Sequence, residues 1–138
     1  MHPNFFRKAP AARGKKAKVI ATDLVRVRDA LELGNQVTLV AEDPGDRVCG
    51  LAHVRIYDTP PQSGLVQLRR GHVDDLVVAG AHRRGGCGRA LMESAATWAR
   101  AHGAQQLLLT VWDGNASAER FYAKLGYRRI SQVLGTDL

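Results

Sequence analysis

The fold turns on the stretch His82-Arg83-Arg84-Gly85-Gly86-Cys87-Gly88-Arg89-Ala90-Leu91, in which three glycines fall within four residues. An apolar run, Leu76 to Ala79, precedes it and a segment of helical periodicity follows, so the stretch reads as strand, tight loop and helix start. The first amides of a helix have no partner inside it and point outward from its end, which makes an anion site that needs no side chain. Arg83, Arg84 and Arg89 add positive charge around that turn, so a phosphate-bearing ligand is expected at Gly85 to Arg89.

Outward from the loop, an alternation of elements continues. On the C-terminal side, Leu91, Ala95, Trp98 and His102 recur at helical spacing and Gly103 stops the helix. Gln106 to Val111 is an apolar strand whose three consecutive leucines, Leu107 to Leu109, predict burial on both faces. Ala118 to Leu125 follows as a short helix, with Asn115 or Ser117 as its cap and Gly126 as its end, and Tyr127 to Leu134 reads as a last strand. On the N-terminal side, His72 to Ala79 is the strand entering the loop, and Leu65 to Leu68 is expected to extend the sheet before it. Before these, Gln36 to Glu42 and Arg47 to Asp58 flank the turn Asp43-Pro44-Gly45-Asp46 and form an antiparallel hairpin. Leu24, Val27 and Leu31 share one face of a helix over Thr22 to Leu33, and Lys18 to Ala21 is the segment that could supply a first strand. The order is that of a mixed α/β, or α+β, domain around one sheet.

A length of 138 residues, 45% hydrophobic and 24% charged, suits one soluble domain. The net charge of +7 is concentrated: residues 1 to 22 hold six basic residues and no acidic one, leaving 14 basic against 13 acidic beyond them. Residues 1–18 therefore read as a basic, flexible tail and residues 19–138 as the domain. A nearly neutral folded part argues against a nucleic-acid partner, since duplex binders place their basic excess on a folded face. No apolar run approaches the roughly 18 residues of a membrane span and no signal-peptide segment is visible, so a cytoplasmic protein without a membrane partner is expected. Cys49 and Cys87 have no metal-like spacing and read as reduced thiols.

Several phosphate-binding patterns fail. Gly80 and Gly85 have the spacing of a nucleotide-binding P-loop, but no Lys-Ser or Lys-Thr follows. Gly86-Cys87-Gly88 begins a dinucleotide fingerprint whose third glycine would fall at Leu91. No paired-histidine metal motif or nucleophile elbow is present in the sequence, and no metal is expected. Arg83-x-x-Gly86-x-Gly88 remains.

Arg83 to Leu91 resembles the acetyl-CoA signature of the GNAT superfamily of N-acetyltransferases, Gln/Arg-x-x-Gly-x-Gly/Ala. The acid-bearing strand Val73-Asp74-Asp75-Leu76-Val77-Val78 precedes it at the family's usual distance. After it comes Asn115-Ala116-Ser117-Ala118-Glu119-Arg120-Phe121-Tyr122-Ala123-Lys124-Leu125-Gly126-Tyr127, which is similar to the family's Asn-x-x-Ala-x-x-Phe-Tyr-x-x-Leu-Gly-Phe/Tyr segment. The resemblance covers His72 to Tyr127.

It implies a mostly antiparallel mixed sheet, splayed at the acetyl-CoA site and flanked by helices, with a shortened N-terminal region. The CoA pyrophosphate would lie on the amides of Arg84, Gly85, Gly86, Cys87, Gly88 and Arg89, with Arg83 beside them. The pantetheine arm would pair with Leu76, Val77 and Val78, and Asn115 would belong to the same cofactor side. Tyr122 would protonate the CoA thiolate; a packing tyrosine is the alternative. In the histone-acetylating branch a glutamate base stands where this chain has His72, and Asp74 is a second candidate, directly or through water. Both are also readable as solvated or pairing residues. On a regular strand His72, Asp74, Leu76 and Val78 share one face, with Asp75 and Val77 on the other. The glutamate that other members carry on the next strand is matched here by Thr110. Cys87 matches an apolar packing position and reads as inert, Cys49 as core, and His53 and His82 have no assigned role. Trp112 either lines the acyl or acceptor pocket or packs in the core. The implied partners are acetyl-CoA and an amine acceptor, and a homodimer could complete the acceptor site. A non-catalytic CoA-binding regulatory or adaptor domain is the rival reading.

Overall fold

Alternation of apolar and polar residues in β3 (Gln36–Glu42) and β4 (Val48–Asp58) builds the central hairpin of the computed structural model, which describes residues 18–19, 25–60, 67–80 and 86–138. Asp43 sets its turn: the Oδ1 atom accepts from the amides of Gly45 at 2.9 Å and Arg47 at 3.0 Å, and Asp46 takes a left-handed φ of 61°. Val37, Leu39 and Ala41 of β3 face the same way as Ala52, Val54 and Ile56 of β4, and all six are buried.

The sheet runs β1-β2-β3-β4-β5-β6 among the described residues, with β1 at Lys18–Val19, β2 at Arg26–Leu33, β5 at Arg69–Val78 and β6 at Gln106–Leu108. Every pairing is antiparallel except β5 with β6, which is parallel. One face is covered by α1 (Cys87–Ala101), whose Leu91, Met92, Ala95, Trp98 and Ala99 are buried against it. Full burial of each Leu or Met is worth roughly 1.5–3 kcal/mol. Gly71 allows the helix to lie this close, since a Cβ there would stand 3.0 Å from both Ala99 Cβ and Leu107 Cδ1. A second helix, α2 (Ala116–Lys124), follows β6.

The fold class and the hairpin agree with the reading of the sequence, and Lys18–Val19 does form a first strand, paired with β2. Several expectations are corrected. Arg26–Leu33 is a strand, not part of a helix; Thr22 to Leu24 lie outside the described residues. A spacing of four, Val27 to Leu31, suits one face of a helix and one face of a strand alike, and in the strand a bulge between Asp29 and Leu31 shifts the side-chain phase, so Val27 is buried and Leu31 is exposed. Gly34, with φ 57°, turns the β2–β3 hairpin instead of ending a helix. The leucines of β6 are half-buried, because β6 is an edge strand only three residues long. Residues 127–138 form no strand: they find no strand partner among the described residues, and Val133 and Leu134 are 95% and 84% exposed. Leu68 belongs to no strand, and Leu65 lies outside the described residues.

Candidate active site

Strand β5 is paired along its whole length on one side and only briefly on the other. Its contacts with β4 run from Asp58↔Arg69 to Gly50↔Val78, whereas β6 meets it only at Arg70↔Gln106, Gly71↔Leu107 and His72↔Leu108. Beyond His72 the two strands part. Residues 73–78 therefore present one edge of backbone that no described strand covers. Exposed N–H and C=O groups on such an edge are ready to pair with an extended, amide-bearing ligand.

A bulge in β5 decides where the titratable side chains go. Val54 pairs with Val73 and His53 with Asp75, so Asp74 is the extra residue. Regular alternation resumes after it with the opposite phase. Gly71, Val73, Leu76 and Val78 oppose Ile56, Val54, Ala52 and Gly50 on the α1 face, while His72, Asp75 and Val77 oppose Arg55, His53 and Leu51 on the other. The expected common face for His72, Leu76 and Val78 is thus corrected: His72 stands across the sheet from Leu76.

His72 Nδ1 lies 2.7 Å from Asp74 Oδ1, and Arg55 Nε donates to both Asp74 oxygens at 3.0 and 3.1 Å. Arg55 is itself held over the Tyr57 ring, 5.1 Å from its centroid. The His72 and Asp74 side chains are only 21% and 29% exposed. With Nδ1–H donating to the carboxylate, Nε2 keeps its lone pair and has no hydrogen-bond partner among the described residues. Asp74 is engaged by both His72 and Arg55, and the contact fixes the orientation of the imidazole.

The loop closes at Gly86, whose φ of 84° is a conformation that favours glycine, and α1 begins at Cys87. Among the described residues no side chain caps this end, and no acidic residue lies in the first turn, so the amides of Cys87, Gly88 and Arg89 have no side-chain partner among them. Arg89 Nε is paired with Glu93 Oε1 at 2.9 Å along the helix. Gly88 lets a second element approach: a Cβ there would lie 3.2 Å from Phe121 Cζ and 3.6 Å from Val78 Cγ2. His82, Arg83, Arg84 and Gly85 lie outside the described residues.

Asn115 is the N-cap of α2, its side chain accepting from the Ala118 amide at 3.1 Å. This fixes the helix that carries Tyr122. The Tyr122 ring is half-buried and meets Phe121 and Tyr127 edge-on, with centroids 5.0 and 5.8 Å away. Burial first, and then the neighbouring Tyr127, raise its phenol above the ordinary value, so it is protonated throughout the neutral range. Its hydroxyl has no hydrogen-bond partner among the described residues, and Tyr122 makes its ring contacts away from His72 and Asp74. Trp112 is 82% exposed, which overturns core packing for it. A groove of about 360 Å³, lined by Leu107, Leu108, Leu125, Tyr127 and Ile130 among others, runs along β6 and includes neither His72 nor Tyr122.

Two features escape a reading of the sequence alone. Arg55 as the partner of Asp74 depends on the β4–β5 register, whose only sequence signal is the pair of adjacent acids Asp74-Asp75 interrupting an apolar run. Cys49 and Cys87, 38 residues apart, come within 3.3 Å, and no spacing rule announces it. Among the described residues no cluster of three or more His, Cys, Asp or Glu could hold a metal ion, and no helix is long and apolar enough to cross a membrane.

Comparison with known proteins gives a consistent outcome. The sequence profile of the Acetyltransferase (GNAT) family matches residues 8–127. A glucosamine 6-phosphate N-acetyltransferase of Trypanosoma brucei brucei is 28% identical over 117 residues, covering 84% of this chain and 76% of that protein. A streptothricin acetyltransferase of Streptomyces lavendulae is 44% identical over a shorter stretch of 55 residues, 40% of this chain and 29% of that one. Among solved structures, a tetramutant protein from Bacillus halodurans superposes with a TM-score of 0.71 at 25% identity, over all of this chain and 75% of that one.

Proposed function

The chain belongs to the acetyltransferase (GNAT) family, an acyltransferase family that uses acetyl-CoA as co-substrate, and from that premise we propose that it acetylates a primary amine by direct attack in a ternary complex. The observation that carries this reading is the fork between β5 and β6. It leaves residues 73–78 with a free backbone edge leading to the uncapped start of α1. Acetyl-CoA supplies the activated acyl group.

In this reading the amides of Gly86, Cys87, Gly88 and Arg89, with Arg83, Arg84 and Gly85 from the preceding loop, hold the pyrophosphate. Each charge-assisted amide contact contributes roughly 1.5–3 kcal/mol, more than a solvent-screened arginine, so the backbone dominates. The free edge at Leu76, Val77 and Val78 pairs with the pantetheine amides, and a backbone N–H near Leu76 or Val77 donates to the oxyanion. Asn115 contributes by fixing α2.

An aliphatic amine with a pKa near ~10.4 is mostly protonated at pH 7, so a base must act first. His72 Nε2 takes that proton, directly or through water, while Asp74 and Arg55 keep its tautomer. The amine nitrogen then bonds the acyl carbon, the carbon–sulfur bond breaks, Tyr122 gives its phenolic proton to the departing thiolate, and the second nitrogen proton, lost as the amide forms, returns through water to the tyrosinate. Asp74 as the base is less well supported, because Arg55 and His72 already occupy its oxygens. The relatives act, by their names, on an amino sugar phosphate and on streptothricin. Both fit a small amine as acceptor; a protein N-terminus or a lysine is the competing class. The basic residues 1–18, a homodimer and a cytoplasmic setting belong to the same proposal.

The test is free-thiol release from acetyl-CoA across a panel of amino sugars, small amines and peptides, with melting temperature read in parallel. Acetyl-CoA should raise the melting temperature and at least one amine should drive turnover. Absence of stabilisation at millimolar acetyl-CoA sinks the proposal.

A further inference from the structure

Two thiols meet in the core where nothing in the proposed reaction uses them. Cys49, near the start of β4, and Cys87, the first residue of α1, place their sulfurs 3.3 Å apart, and each residue is 1% exposed. The contact is crowded on all sides. Cys49 Sγ also donates to Ala41 O at 3.5 Å, and the bare Cα of Gly50 is what leaves room for Cys87 Sγ. A disulfide needs the two sulfurs to close from 3.3 Å to about 2.05 Å, and Cys87 is the first residue of its helix, where α1 leaves the preceding turn.

We propose that the Cys49–Cys87 dithiol is a modification site, converted by a small hydroperoxide into an intramolecular disulfide that fastens the start of α1 to β4. The order of events follows from the contact. The hydrogen bond from Cys87 lowers the Cys49 thiol from its ordinary value, whereas that bond and burial push Cys87 far up, so Cys49 is the thiol of the pair that gives up its proton more readily. Cys49 sulfur attacks one peroxide oxygen and the O–O bond breaks. A sulfenic acid forms on Cys49, and the alkoxide or hydroxide released takes up the proton that Cys49 gave. Cys87 sulfur then attacks Cys49 sulfur, the S–O bond breaks, and hydroxide leaves with the Cys87 proton as water. Two thiols are oxidised to one disulfide while one peroxide is reduced to an alcohol, or water, plus water. Burial keeps bulky thiols such as glutathione out, and Cys87 beside the nascent sulfenic acid intercepts it before a second peroxide arrives. The readout is covalent, so it stands apart from acetyl transfer.

The full chain is treated with hydrogen peroxide or tert-butyl hydroperoxide, unfolded in acid, and read by intact mass and thiol titration. The expected product has lost both thiols together, is lighter by about 2 Da, stays monomeric on non-reducing electrophoresis, and reverts with dithiothreitol. Cys87→Ala removes both the resolving thiol and the hydrogen bond that activates Cys49, and Cys49→Ala removes the attacking thiol, so neither variant should lose about 2 Da. Three results on the wild-type chain overturn the proposal: both thiols intact under conditions that oxidise free cysteine, gains of about 16 or 32 Da per thiol, or disulfide-linked dimers.

Discussion

Replacing Gly50 by alanine puts a methyl group where three elements converge. Its Cβ would stand 2.8 Å from Cys87 Sγ, 2.8 Å from the Val77 carbonyl oxygen and 3.0 Å from Leu91 Cδ1. The thiol and the leucine can swing aside; the carbonyl belongs to the backbone of β5 and cannot. Overpacking of a well-filled core costs typically 1–3 kcal/mol, and alanine regains roughly 0.5–1 kcal/mol over glycine inside a strand. A net destabilisation of about 1–2 kcal/mol remains. For a chain of this length that lowers the melting temperature by roughly 3–10 °C. Thermal unfolding followed by circular dichroism, without ligand, measures it. In a Cys87→Ala background the sulfur contact is gone while the carbonyl contact stays, so the cost of Gly50→Ala should shrink by about 1 kcal/mol without vanishing. A Gly50→Ala protein melting within about 1 °C of wild type, or an equal cost in both backgrounds, refutes the packing described at this junction.

The remaining predictions concern the reaction and the tyrosines. Tyr122→Phe keeps the ring contacts and removes the proton, so steady-state kinetics should record a fall in kcat of about 10²-fold or more with little change in the acetyl-CoA KM. His72→Gln should lower kcat/KM further than Asp74→Asn, because Asp74 acts through the imidazole; the reverse order would move the base to the carboxylate. Deleting Asp74 makes Val73 and Asp75 consecutive opposite Val54 and His53, which regularises the ladder. Acetyl-CoA should still raise the melting temperature of that deletion variant while turnover is lost. Tyr122 and Tyr127 both hold their protons above the ordinary value of 10.0, mainly through burial. Above that pH the unfolded chain binds fewer protons than the folded one, so stability should fall as pH rises through and beyond it. Denaturant midpoints at several alkaline pH values should decline less steeply for Tyr127→Phe than for wild type.

What the sequence made legible follows from how local its causes are. Asp43-Pro44-Gly45-Asp46 fixes a turn within itself, and the apolar positions from Leu91 to Trp98 can face only one way on a helix, so the central hairpin and α1 are readable from spacing. The second strand was not, because a spacing of four, Val27 to Leu31, suits a helix face and a strand face alike, and the bulge between Asp29 and Leu31 that shifts the phase is imposed by pairing with β3. Tyr127 to Leu134 carries a strand-like composition, yet a strand also needs a neighbour to pair with, and composition holds no record of one. In the candidate site, the glycines, Asn115 and Tyr122 were legible as a motif. The partnership of Arg55 with Asp74 and the meeting of Cys49 with Cys87 were not, since both are products of register between distant segments.

The bulge at Asp74 has a consequence for how two substrates could reach one strand. Without it His72 and Leu76 would point the same way, and the base would lie on the α1 face, which Leu91, Met92 and Ala95 already fill. With it, His72 points to the opposite face while the edge at residues 73–78 still runs back to the helix start. An amine meeting His72 therefore comes from the face away from α1, and a pyrophosphate meeting Gly86 to Arg89 comes from the helix end. Those two approaches join only where the sheet is open. The β5–β6 ladder ends at His72↔Leu108, one residue before Val73, so the opening begins beside the imidazole. The short ladder to β6 and the placement of His72 on the face away from α1 thus set the proposed base and the free backbone edge beside one opening in the sheet.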